Sequence, residues 1–184
     1  MRARLTLSLA VITLAVLPGC AGQQPPYTAA VPAPPSDAGA EVSEQDREWM
    51  RLIHQANLAE VQAGRLAQGK ATTKQIKKVG ETLVKDHTQL DTKVTKTAEQ
   101  LGIDLPTSQS KEQREMLDRI QSASGQDFDQ DFVSGMIKAH RQALNATKTE
   151  ISKGSAPAVV SLAKAAEPSL EKHLADLRKA QGGG

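Results

Sequence analysis

From Ser43 onward, apolar residues recur every three or four positions and polar residues fill the gaps, the period of an amphipathic helix. Four long stripes can be traced. The first runs through Met50, Asn57, Val61 and Gly64, with His54 on or beside it. The second runs through Ile76, Gly80, Leu83, His87, Leu90, Val94 and Leu101. The third takes Val133, Met136, His140, Ala143 and Thr147, and the fourth Val159, Ala163, Ala166, Leu170, His173 and Leu177. The breaks between them carry helix start and stop chemistry. Ser43 is an N-cap residue with Glu44 and Asp46 in the first turn, and helix 1 runs from there to about Gly69. Thr72 and Gln75 have capping-box spacing and open helix 2, which ends near Gly102. Ser110 and Gln113 open a short helix over about 111–122. Asp127 and Gln130 open helix 3, which ends before Gly154, and Ser155 with Pro157 opens helix 4.

Helices of about 25 residues span ~40 Å at 1.5 Å per residue. The links within the pairs 1/2 and 3/4 are short, so each pair is a hairpin. The link between the pairs, residues 103–126, is long enough to carry the chain back along the whole bundle, as in ferritin-like folds. An up-down-up-down bundle with a decorated loop is the alternative. The predicted fold class is all-α: a ferritin-like four-helix bundle over residues 43–181, with a short extra helix in the long connection and a tail at 182–184.

The first 42 residues have a different pattern. Arg2 and Arg4 precede an apolar run from Leu5 to Leu17, which reads as a secretory signal peptide over residues 1–19, too short for an ordinary transmembrane helix. The run ends in Leu17-Pro18-Gly19-Cys20, which resembles the bacterial lipobox, with Pro18 a less usual third letter. A thiolate nucleophile is what a diacylglyceryl transfer requires at that point, so Cys20 is the expected lipidation residue. Ordinary secretion, with cleavage after position 22 conceivable, is the alternative. Residues 20–42 form a Pro/Ala-rich linker holding Pro25, Pro26, Pro32, Pro34 and Pro35. Such a segment samples extended polyproline II and could hold the bundle up to ~60 Å from a membrane, at ~3.1 Å per residue. The expected location is therefore outside the cytoplasm, on the cell membrane or outer membrane.

Composition narrows the chemistry. The chain of 184 residues has 23 basic and 21 acidic residues, and its two excess charges, Arg2 and Arg4, fall in the signal peptide. A formally neutral mature chain argues against nucleic acid as a partner, because phosphate binding needs a basic face. The single Cys excludes an internal disulfide and a Cys-rich zinc site. Phosphate-cradling loops, HExxH and G-x-S-x-G are absent from the sequence. The lysines Lys74, Lys77, Lys78 and Lys85 read as a solvated helix face.

The four histidines fall one per long helix, on or beside the core-facing stripes. His54 and His87 lie about equally far from the first hairpin turn, taken near position 70 or 71, so they are expected to meet side by side; His140 and His173 flank the second turn in the same way. Sliding the sequence so that His54 falls on His140 also sets Met50 on Met136, Leu58 on Leu144, Glu81 on Glu167 and His87 on His173, a weak internal repeat. His87 and His140 are both mid-helix, so they stay level in either topology. Glu60 is placed to turn inward beside Asn57. Asp86 and Glu171 point off the core stripe, and Asn57 and Asp86 are candidates to orient the imidazoles from behind. Two readings compete. In one, Glu60, His87, His140 and His173, with His54 as a further candidate, bind a divalent transition metal such as Zn, Fe or Cu. In the other, the buried imidazoles only hydrogen-bond and fix the bundle register. A di-iron oxidase site is not expected, because Val84 and Leu170 occupy the positions of the Glu-x-x-His carboxylates. An atypical metal-dependent oxidase is a third reading; with no catalytic motif, the chain is read as a non-enzyme.

Asn57-Leu58-Ala59-Glu60-Val61, Leu83-Val84-Lys85-Asp86-His87-Thr88, Leu105-Pro106, Gly125-Gln126-Asp127-Phe128-Asp129 and Pro168-Ser169-Leu170-Glu171-Lys172-His173-Leu174, taken in order with Met136 and His140, resemble the motifs of a bacterial domain-of-unknown-function family. Its members are secreted ferritin-like bundles often labelled outer-membrane proteins. The resemblance covers about residues 45–178. It implies the four-helix ferritin-like fold and an envelope location, and it implies no activity. The family pattern has counterparts of Glu60, His87, His140 and His173; His54 is outside it.

Overall fold

A computed structural model describes residues 41–182. The expected signal peptide, Cys20 and all but the last two residues of the expected linker lie outside the described residues. Five helices follow in order: α1 (Glu44–Lys70), α2 (Lys74–Leu101), α3 (Lys111–Ser122), α4 (Gly125–Lys153) and α5 (Pro157–Gly182). No strand occurs among the described residues, and none of their helices is long and apolar enough to cross a membrane.

The caps explain most of the boundaries. Ser43 and Asp46 form a capping box at the start of α1, and Ser110 and Gln113 form one at the start of α3. Two expected starts are corrected. The N-cap of α2 is Thr73, whose hydroxyl accepts from the Ile76 N–H, while Thr72 bonds Asp129 of α4 instead. Helix α4 opens at Gly125, ahead of the expected Asp127 and Gln130, with Ser124 at the N-cap position making no side-chain bond. Gly125 has φ +59, a conformation open to glycine without strain, so the chain turns into the helix there. Gly102 closes α2 at φ +63, and α5 runs on through Pro168 as one helix.

Helix α1 packs on α2 and α4, and α5 packs on the same two, leaving α2 and α4 diagonal. The ends fix the directions. The α1 C-terminus meets the α4 N-terminus, where the Lys70 ammonium lies over the Phe128 ring. At the other end, Trp49 Nε1 donates to Thr147 Oγ1 (3.1 Å), and the Ser155 and Ala156 amides donate to Asp46. So α1 and α4 are antiparallel, and α2 and α4 run the same way. That arrangement requires the chain to return along the bundle between them, and it does so against α1. Arg51 donates to the Asp104 carbonyl, Gln55 to the Ser108 carbonyl, Gln109 to Gln62, and Lys70 to the Gln121 carbonyl. The up-down-up-down alternative is thereby excluded.

The core holds Trp49, Phe128, Phe132, Met50 and Met136 together with the aliphatic stripes. Helices α1 and α2 approach closely at Gly64 and Gly80. A Cβ on either would lie 2.7 Å from the other's carbonyl oxygen, so only glycine at both positions lets α1 and α2 pack this tightly. This contact sets the register of the first hairpin, with its centre at Thr72.

Candidate metal centre

That register decides which side chains meet. With the turn centred at Thr72 rather than at 70 or 71, Asn57 and Glu60 stand level with His87, and His54 stands about a turn away. His54 Nδ1 donates to Asp91 Oδ1 (2.7 Å) and makes no pair with His87. The expected His54–His87 pairing is corrected, and His54 lies outside the histidine cluster. His87 from α2, His140 from α4 and His173 from α5 do converge. Their ring centroids are 5.2–5.4 Å apart, and one ring nitrogen from each lies within 4.8 Å of the others. All three rings are buried, and Glu60 from α1 is buried against them. Its carboxylate lies 2.6 Å from His87 Nε2 and 3.5 Å from His140 Nδ1.

Each imidazole is oriented from behind through its second nitrogen. His87 Nδ1 donates to Asn57 Oδ1 (2.9 Å), and Asn57 Nδ2 in turn donates to Asp91 (3.4 Å), which fixes the amide with its oxygen toward the ring. His140 Nδ1 donates to the Met136 carbonyl one turn back (3.0 Å). His173 Nε2 donates to Asp86 Oδ2 across the α2–α5 interface (2.9 Å). The remaining nitrogens, His87 Nε2, His140 Nε2 and His173 Nδ1, are buried without a hydrogen-bond partner, and so are both Glu60 oxygens. The 2.6 Å Glu60–His87 contact is an ion-pair distance, available to the carboxylate only when that ring carries its second proton. A neutral imidazole that donates through one nitrogen carries a bare lone pair on the other. The cluster therefore holds three unpartnered nitrogens and an unpartnered carboxylate in a core where buried polar groups are ordinarily paired.

Electrostatics oppose charge on the His140 and His173 rings. Burial pushes the His140 and His173 imidazoles below their ordinary range, and proximity to His87 pushes both further down; Glu60 and the bonds to Met136 and Asp86 pull the other way. Burial opposes the Glu60 charge; positive charge on the His140 and His87 rings, with the close contact to His87, brings the carboxyl down to about 2, a pull that lasts only while a ring, or an ion in its place, carries that charge. The group is thus an ionised carboxylate beside rings that cannot all be protonated together.

The donor set fits a divalent transition metal. Neutral imidazole and carboxylate suit Zn, Fe or Cu, and a second nitrogen tied to an oxygen acceptor is how metal-ligating histidines are ordinarily held. His87, His140 and His173 would hold the ion, with Glu60 adjacent. Asp91 escapes a reading of the sequence, because it is off the core stripe; its signal is that it falls level with His54 once the hairpin centre is known.

The fold and this cluster define the chain as an all-α bundle with a buried histidine triad and a carboxylate at its centre. It belongs to the family described as a domain of unknown function, DUF4142, whose pattern matches residues 31–180. No curated protein matches it. Among solved structures, the fold is similar to a DUF305 fragment from Deinococcus radiodurans (TM-score 0.68, 11% identity, covering 77% of this chain and 97% of that one). It is also similar to CopM in the Cu(I)-bound form (TM-score 0.62, 17% identity, covering 73% of this chain and 93% of that one).

Proposed function

We propose that this protein is an exported, lipid-anchored envelope protein whose ferritin-like bundle binds one divalent transition metal through His87, His140 and His173, with Glu60 beside them, and that it is not an enzyme. The observation that carries the reading is the set of three buried bare nitrogens, one per ring, each on a ring whose other nitrogen is tied to an oxygen acceptor. A bound ion would supply the positive charge that the three lone pairs and the Glu60 carboxylate lack. The chain's own part is to hold the tautomers. Asn57, the Met136 carbonyl and Asp86 keep the protons on the outer nitrogens, and burial disfavours the charged form of His140 and His173. Likeness to CopM at 17% identity speaks for the fold alone; zinc, iron and copper are the ions to test because imidazole and carboxylate suit them.

A second reading rests on the 2.6 Å Glu60–His87 contact. In it, a protonated His87 pairs with Glu60, and the cluster only fixes the packing of the four helices. Metal content separates the two. The chain from residue 21 onward, which lacks the leader and the lipidation residue, is purified without an affinity tag and analysed by elemental mass spectrometry after loading and desalting. One tightly held ion per chain, lost in His140→Ala, is expected. No ion in the parent chain, with unchanged melting on adding chelator, favours the ion-pair reading. For the anchor, labelled fatty acid should be incorporated into the parent chain and lost in Cys20→Ser; equal labelling of the two would refute lipidation at Cys20.

A further inference from the structure

A cavity of ≈ 130 Å³ lies between α2 and α5 and leads toward the histidine cluster. Its walls run from exposed to buried residues. Gln89, Lys93 and Ser169 are exposed, Asp86 is partly exposed, and His87 and His173 are buried. This volume accommodates several waters, on the order of 10–15 Å³ of such space being enough for one. The Asp86 side chain is 31% exposed and accepts from His173 Nε2, so one carboxylate touches both solvent and the back of a cluster imidazole. By contrast, His140 and Glu60 are absent from the cavity lining and are closed off by packing.

We propose that this α2–α5 cavity is the port through which a divalent cation reaches and leaves the triad, and that Asp86 is the carboxylate that receives it. The inference rests on the metal-binding reading above. A buried ion needs a path on which its water can be shed stepwise, and a cavity with a carboxylate at the mouth and imidazoles at the floor supplies replacement ligands in order. Lys93 stands at the same rim, and its ammonium opposes a cation, so the mouth is close to charge-balanced and loading is governed by these two residues.

Zn(II) is the probe. Apo protein is mixed with it in a stopped-flow instrument, a fluorescent zinc indicator follows loading, and excess chelator follows release. Ser169→Trp on α5 and Gln89→Trp on α2 narrow the mouth from opposite walls without touching a ligand. Each should slow loading and release at least tenfold and leave the equilibrium affinity within a few-fold of the parent. Lys93→Glu should speed loading and make it more sensitive to salt. Thr92→Trp, in the groove on the α1–α2 face, should change neither rate. Circular dichroism confirms that each variant is folded. Should the parent load zinc while both mouth variants load at its rate, or should Thr92→Trp slow loading as much as they do, the port is wrong and the site stands. Should the parent bind no zinc at equilibrium, the metal-binding reading fails and the port with it.

Discussion

His140→Leu gives opposite results for a metal centre and for a structural histidine cluster. Leucine is close in volume to histidine and His140 is fully buried, so packing is largely retained. In the metal-free protein the substitution removes an unpartnered buried nitrogen, worth about 1–3 kcal/mol, and forfeits the Nδ1 bond to the Met136 carbonyl, worth about 1 kcal/mol. That carbonyl keeps its helical partner, so no new orphan appears. The Glu60 carboxylate loses a polar neighbour, which offsets part of the gain. The net change in chelator is therefore small, within about 2 kcal/mol of zero. With metal at a thousand times its Kd, the parent gains about 4 kcal/mol. A variant lacking one imidazole loses at least the ~100-fold in affinity that loss of an outer partner alone can cost, and so gains about 1.4 kcal/mol or less. At a few degrees per kcal/mol for a domain of this size, the parent should melt roughly 10 °C above the variant in metal and near it in chelator. Paired thermal melts in chelator and in Zn(II) make the comparison. If His140→Leu costs more than about 3 kcal/mol in chelator, and metal shifts neither protein, the imidazoles hold the core by themselves and the metal reasoning is refuted.

Other consequences are equally direct. Asn57→Leu frees the His87 ring from its imposed tautomer, so metal affinity should fall about 10–100-fold with little loss of helix content; unchanged affinity by competition titration would show that Asn57 does not position the ring. Gly64→Ala sets a Cβ 2.7 Å from the Gly80 carbonyl, and the clash should outweigh the ~1 kcal/mol helix-propensity gain, so the urea midpoint should drop; a rise would mean that the α1–α2 approach is looser than described. Burial and the neighbouring Asp46 carboxylate push Glu150 up to about 7. A raised carboxyl binds its proton more tightly in the folded state, so stability should fall as pH rises from about 4.5 to about 7, by at most about 3 kcal/mol. Glu150→Gln should flatten that decline in denaturation curves taken across the window; a parent with no decline there would contradict the assignment.

Much of the helical layout was legible because caps and periods are local. Ser43, Ser110 and Pro157 mark helix starts through bonds or ring geometry within one turn, and the structure uses all three. Starts that depend on tertiary partners were read less well. Thr72 has the right spacing for a cap, but its hydroxyl and amide go to Asp129 on another helix, and the cap passes to Thr73. Gly125 starts α4 through a positive φ that no side-chain pattern announces.

The cluster divides along the same line. By itself, the sequence determined that His87, His140 and His173 face the core, because a 3.6-residue period fixes which side of a helix is buried. It also placed Glu60 among them and left the positions of the Glu-x-x-His carboxylates apolar. What it could not determine is the axial offset between neighbouring helices, since a period is unchanged by sliding one helix along another. The tertiary structure decided that offset through the Gly64–Gly80 contact, and a shift of about a turn moved His54 away to Asp91 and brought Asn57 and Glu60 to His87. It also decided which nitrogen of each ring is bare, because the partner that takes the other proton, above all Asp86 across the α2–α5 interface, comes from packing and not from spacing.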